Sequence, residues 1–287
     1  MKVRLPKNAG SWYAGSSQAL KRQIEEECFL HPLGPGKIPH LNVEGRRSIV
    51  GLLCPHAGYM YSGPVAAHSY YALAEDGKPK TIVILGPNHH GLGSGVSIMV
   101  EGVWRTPFAD VQINSQIAKD IQAESKYIDI DEQAHLYEHS IELQLPFLQY
   151  ILGEDFDFIP ISMMLQDFEV SIDVGKAIGK VLKNRRVDSI IIASSDLTHY
   201  EPQKIAEKKD LMVIESIKKL DEKELYSNVE GYNISMCGVG PTIAMLTASK
   251  ILGAKKAKLL KYATSGDVIG DRSSVVGYCA MSVVKED

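Results

Sequence analysis

Short runs of Ile, Val and Leu alternate along this chain with stretches in which apolar residues recur every three or four positions. Ser48–Leu53, Thr81–Leu85, Phe156–Ser162 and Ser189–Ala193 are dominated by apolar residues, as strands covered on both faces must be. Leu259–Ala263 and Val275–Val284 read as two closing strands. Helical spacing predicts helices over Ser17–Cys28, Pro64–Ala74, Val170–Lys183, Pro202–Leu220 and Glu222–Asn228, and from Cys237-Gly238-Val239-Gly240-Pro241 to Lys250. His31–Gly45, with three prolines and two glycines before Leu41, reads as a loop, and Gly95–Ile113 as an irregular hairpin insertion. Strands alternating with helices predict an α/β fold with a mostly parallel central sheet flanked by helices on both faces. No polar linker interrupts the series, so residues 1–287 are expected to form a single domain.

Composition narrows the function classes. Apolar residues are 45% and charged residues 23% of the 287, the balance of a globular chain. With 31 basic against 35 acidic side chains the net charge is −4, which offers no field for nucleic acid or anionic lipid. No apolar stretch nears the roughly 18 residues of a membrane span, and Met1–Trp12 has no signal-like apolar core. Four cysteines without a CxxC pair make no disulfide framework, so a reduced, cytoplasmic protein is expected.

The nine histidines carry the chemistry. In open α/β sheets ligands sit just beyond the carboxyl ends of the strands. His56 follows the first strong strand by three residues, His89 follows the second by four, and Asp196 and His199 follow Ser189–Ala193 in the same way. If the first two strands are parallel neighbours, these groups meet in one crevice. A single such histidine is more simply a turn or capping residue, but three strand ends point to a shared site. Adjacent His89 and His90 point opposite ways in extended chain, so only one is a direct ligand. Cys237 opens a helix, where a thiolate would be favoured; the bland reading of a lone cysteine is a small buried hydrophobe. Cys28, Cys54 and Cys279 read as structural. His135-Leu136-Tyr137-Glu138-His139 matches H-x-x-E-H, the inverted zincin pattern of two histidines on one helix, without its third ligand. Glu138, His139 and Glu142 could stand behind the crevice. No glycine-rich nucleotide fingerprint is present.

Taken together, Gly10-Ser-Trp-Tyr13, Pro55-His-Ala-Gly-Tyr59, Gly86-Pro-Asn-His-His90, Glu138-His-Ser-Ile-Glu142, Ser194-Ser-Asp-Leu-Thr-His199 and Cys237-Gly resemble the Memo family, in that family's order and over nearly the whole chain. Its fold is similar to that of the class III extradiol ring-cleavage dioxygenases of the LigB type. Animal members are named as mediators of cell motility, and microbial members resemble partners of radical-SAM and AMMECR1-type proteins.

The resemblance implies a metal held by His56, His89 and Cys237, with His199 as acid/base and Asp196 orienting it. It also implies a ligand pocket walled by Trp12, Tyr13, Tyr59, Tyr61 and His139. Iron(II) is the metal of the dioxygenases, where two histidines and a carboxylate leave positions open. Here Cys237 stands in the carboxylate's place, and its softer thiolate keeps copper and zinc as alternatives. The expected function is therefore oxidation of a small catechol-like substrate. Two others remain open: a non-catalytic module binding a peptide or small ligand in the same crevice, and a zinc-dependent hydrolase.

Overall fold

The computed structural model describes residues 2–44 and 47–285; Gly45, the last residue of the expected loop, lies outside them, as do Met1, Arg46, Glu286 and Asp287. The strands, in chain order, are β1 (Val3–Arg4), β2 (Ile49–Cys54), β3 (Thr81–Pro87), β4 (Val96–Ile98), β5 (Val103–Arg105), β6 (Asp110–Ile113), β7 (Ile128–Ile130), β8 (Asp157–Met163), β9 (Ser189–Ser194), β10 (His199–Glu201), β11 (Ala254–Thr264) and β12 (Val275–Lys285). They form one sheet in the order β1-β5-β6-β8-β3-β9-β2-β12-β10, with β11 also on β12 and β4 joining β7 to β8. Its centre, β6-β8-β3-β9-β2, is parallel throughout. Antiparallel pairs close both flanks, β5 with β6 on one side and β12 with β2, β10 and β11 on the other. The fold is thus the α/β arrangement expected, and the irregular insertion contains the β5–β6 hairpin.

The apolar runs become central strands because every residue of β2, β3 and β9 is buried; a strand covered on both faces has no polar side to show. The helices are α1 (Ser17–Arg22), continued by a wider turn over Gln23–Phe29, α2 (Tyr59–Asp76), α3 (Ser115–Glu124), α4 (His139–Glu142), α5 (Gln144–Leu152), α6 (Phe168–Asn184), α7 (Gln203–Lys218), α8 (Glu222–Gly231), α9 (Val239–Ile251) and α10 (Ser265–Ile269). α9 lies on β2, β3 and β9 with α6 packed against it, while α2 rests on β2 and β12. The approach of α9 needs small residues: a Cβ on Gly51 would come within 2.6 Å of Met245 Sδ, and one on Gly175 within 2.6 Å of the Ala244 carbonyl.

Two expectations are corrected, both with consequences for the site. The helix expected from Pro64 starts at Tyr59 and carries Pro64 inside it. Proline favours a first helical position, but Gly58 has already opened the helix by accepting the Tyr61 and Ser62 amides. β2 and β3 are parallel but not neighbours, because β9 lies between them. The crevice is therefore built from three consecutive strand ends, and the one bearing Asp196 is central.

Candidate metal centre

Beyond the carboxyl ends of β2 and β3 the chain leaves the sheet and delivers His56 and His89, and the turn into α4 brings His139 between them and Trp12. The rings of His56 and His89 lie 5.2 Å apart and those of His56 and His139 5.4 Å, each pair edge to face; His89 and His139 stack at 4.4 Å. One donor atom from each of the three lies within 4.8 Å of the others, the separation at which a single ion can bridge them. Cys237 is outside that group, although its Sγ reaches His56 Nε2 at 3.2 Å. His139, expected as a pocket wall, stands inside the group. A second grouping shares it, with His90 and Glu138.

Hydrogen-bond accounting fixes which nitrogens are free. The Ser194 hydroxyl donates to the Ser140 carbonyl at 2.7 Å and accepts from Gln144 Nε2 at 2.8 Å. Its contact with His56 Nδ1 at 2.8 Å must then have the imidazole as donor. His89 Nδ1 lies 2.9 Å from Glu138 Oε1, and an ionised carboxylate can only accept. Both rings therefore carry their proton on Nδ1 and present a lone pair on Nε2. This is the arrangement by which outer carboxylates and hydroxyls orient metal-ligating histidines. His139 makes no side-chain hydrogen bond among the described residues, its nearest carboxylate oxygen being Glu138 Oε1 at 3.5 Å.

The electrostatics favour neutral, ligating imidazoles. Burial, followed by repulsion from His89, pushes the His56 pKa well below its ordinary value. Burial and then His56 bring His139 down to about 3. Burial alone would raise the Glu138 carboxyl, but the ring and backbone N–H groups of His89 hold it below the usual carboxylate range. Asp196 is buried and raised by that burial, although its Oδ1 accepts the His56 amide at 2.8 Å.

The protein groups around Cys237 do not by themselves favour the thiolate. Burial, reinforced by Asp196, pushes the Cys237 thiol up rather than down. The helix end that should have stabilised an anion is already satisfied: the Gly238 amide donates to Ser195 Oγ at 2.9 Å and the Gly240 amide to Gln166 Oε1 at 2.8 Å. The thiol instead donates toward the lone pair on His56 Nε2. The expected orienting role of Asp196 toward His199 is corrected. His199 Nδ1 lies 2.8 Å from the Ser235 carbonyl, which can only accept, so Ser235 fixes the tautomer and leaves His199 Nε2 as the basic nitrogen.

The expected pocket walls divide. Trp12, partly exposed, lies tilted against His139 with the rings 4.2 Å apart, and Tyr61 lines an adjoining cleft. Tyr13 and Tyr59 do not: both are 2% exposed, with hydroxyls donating to Glu142 Oε1 and to the Leu143 carbonyl. Glu142 is a structural hub. Its buried carboxylate also pairs with Arg4 and accepts both Asn8 donors, fastening the segment that carries Trp12. The inverted zincin reading fails, because His135 ends a short 3₁₀ turn, His139 starts α4, and extended Glu138 separates them. His135 is buried against Trp104 with both ring nitrogens unpartnered. Glu138, expected behind the crevice, sets the His89 tautomer, whereas Ser194 and Ser235, which set those of His56 and His199, were missed as site residues.

The fold and this imidazole group together define an α/β protein with a candidate metal centre at the carboxyl edge of its sheet. The chain belongs to the Memo family: the family model described as Memo-like protein matches residues 4–282. A MEMO1 family protein of Methanocaldococcus jannaschii is 53% identical, covering 98% of this chain and 99% of the relative. Another from Methanopyrus kandleri is 51% identical over 97% and 98%. Among solved structures, an uncharacterized protein of Escherichia coli K12 aligns with TM-score 0.56 at 13% identity over 81% of this chain and 99% of that one, a likeness of fold alone. Among the described residues no helix is long and apolar enough to cross a membrane.

Proposed function

We propose that this protein holds one transition-metal ion at His56, His89 and His139, iron(II) in the first place and copper or zinc as alternatives, and acts there on a small organic ligand as a non-heme oxidoreductase. The observation that carries the reading is the paired tautomer control. Ser194 and Glu138 independently turn the Nε2 lone pairs of His56 and His89 into one space. Imidazole donors suit iron, copper and zinc alike. Cys237 is placed to join as a thiolate once its proton leaves, and Asp196 is the carboxylate on hand behind His56. When bound, iron supplies redox chemistry toward oxygen and Lewis-acid polarisation of a ligand oxygen.

The chain's own residues do the rest. His199 Nε2 takes a proton from a ligand hydroxyl and returns it, its tautomer held by Ser235 throughout. Glu138 and Ser194 keep the ligating rings from turning away. Oxygen uptake after anaerobic iron loading, measured across a panel of catechols, tests the proposal. Uptake that His199→Ala abolishes is expected, and no uptake by fully iron-loaded protein would overturn the redox reading. The three-imidazole group without a carboxylate favours one second reading, zinc-bound water acting as a hydrolase. Ester hydrolysis by zinc-loaded protein in the absence of oxygen would mark that case.

A further inference from the structure

Beside the histidine group a cleft of about 400 Å³ opens, within the size range of small-ligand pockets. Its walls belong to the site on both flanks. The Trp12 ring lies 4.2 Å from that of His139, and the Tyr200 ring 5.7 Å from that of His199. Across the cleft stand Met60, Tyr61, Ile269 and Tyr278. Among the described residues no Asp, Glu, Lys, Arg or His lines it. Three of these apolar side chains are held open to solvent: Tyr200 is 78% exposed, Met60 59% and Ile269 58%. Clustered apolar exposure of this kind marks a surface that a ligand covers.

The backbone adds an independent observation. Tyr200 has φ +59°, in the left-handed region that bulky residues avoid. It sits where the β10–β12 register shifts, between His199 and Glu201. The bulge re-aims one side chain, as bulges beside functional sites do, and here it stands an aromatic ring at the mouth of the cleft. A glycine would adopt this backbone without strain, so the ring is what the strained position supplies.

We infer that this cleft is a recognition subsite for an uncharged aromatic portion of the ligand, with Tyr200 as its specificity-determining residue. The inference rests on the proposed reading of the histidine group as the place of the ligand's reactive end. A charged group entering the cleft would lose water and find no counterion, whereas a planar ring meets Trp12, Tyr61 and Tyr200, all able to stack.

The test uses indole as a neutral aromatic probe on metal-free protein, followed by saturation-transfer NMR, so the outcome does not depend on any metal. Indole is expected to bind, and Tyr200→Gly, which relieves the backbone while removing the ring, to weaken it by about fivefold, the size of one lost aromatic contact. Tyr200→Phe should bind as the native chain does. Tryptamine and indole-3-acetate, the same ring with either charge, should each bind more weakly than indole. Failure of indole to bind, equal binding by Tyr200→Gly, or preference for a charged analogue would overturn the inference. Metal stoichiometry, measured separately on the same variants, judges the metal reading alone.

Discussion

The two edges of the sheet make opposite use of polar side chains. At the amino edge lies the larger hollow, about 790 Å³, lined by Arg47, Lys78, Lys80, Asp155, Asp188 and Lys285 among others. Four of these charges answer one another: Arg47 pairs with Asp188, and Lys78 reaches Asp155 at 3.4 Å. At the carboxyl edge the hydrogen bonds instead hold the His56 and His89 rings so that their Nε2 lone pairs face inward, that of His56 met only by the Cys237 thiol. Volume alone would choose the wrong end of the molecule. The end with unfilled valence is where chemistry can begin, and it is also where strand ends bring side chains from distant sequence together.

The contrast breaks most visibly at its ion pairs. Arg4→Met strands the Glu142 carboxylate in the interior and is expected to cost about 3–5 kcal/mol in urea unfolding, because a buried charge loses its partner. At the amino edge Arg47→Met should cost about 1 kcal/mol or less, since Asp188 stays half-exposed and hydrated. Equal costs would erase the distinction between the two edges. Next in size is Glu138→Gln. Trading the carboxylate, which accepts from both the His89 ring and the His89 amide, for a neutral amide with a single acceptor oxygen should weaken metal binding by about 10–100-fold in a competition titration. Lys80→Ala, at the other edge, should leave metal affinity unchanged.

Acid sharpens the comparison further. Burial, then Arg4, lowers the His135 pKa to about 4, against about 6.5 in the unfolded chain. As pH falls below 6.5 the unfolded state takes the proton first, so this stability is intact above 6.5 and is lost toward pH 4. The slope approaches about 1.4 kcal/mol per pH unit for one such group. His135→Leu should flatten the stability profile over that window, and an unchanged slope would remove His135 from the account. The smallest effect is at the amino-edge rim, where Lys78→Ala should not shift the unfolding midpoint detectably, because Asp155 is fully exposed.

The same contrast explains what the sequence made legible. The parallel core could be read because TIVIL and SIIIA have no polar face to hide. His56, His89, Asp196 and His199 could be read because each follows a strand directly. The insertion of β9 between β2 and β3 could not, since strand order depends on crossover paths that no local pattern encodes. His139 follows no central strand; only packing of α4 beneath Trp12 carries it into the group. The occupied helix end at Cys237 was equally hidden, because it looks free until Ser195 and Gln166 are seen to fill it. Tyr13 and Tyr59, expected as pocket walls through the resemblance, pack inward instead, because their hydroxyls find acceptors on Glu142 and Leu143.

The most direct test of the central claim is the metal content of the native chain purified without chelator and then offered iron(II), copper and zinc in turn, set against His56→Ala and His89→Ala. The account predicts one tightly held ion per chain, bound through nitrogen donors in its X-ray absorption spectrum and lost in both variants. A native chain that takes up none of the three metals, or variants that retain the ion, would contradict it.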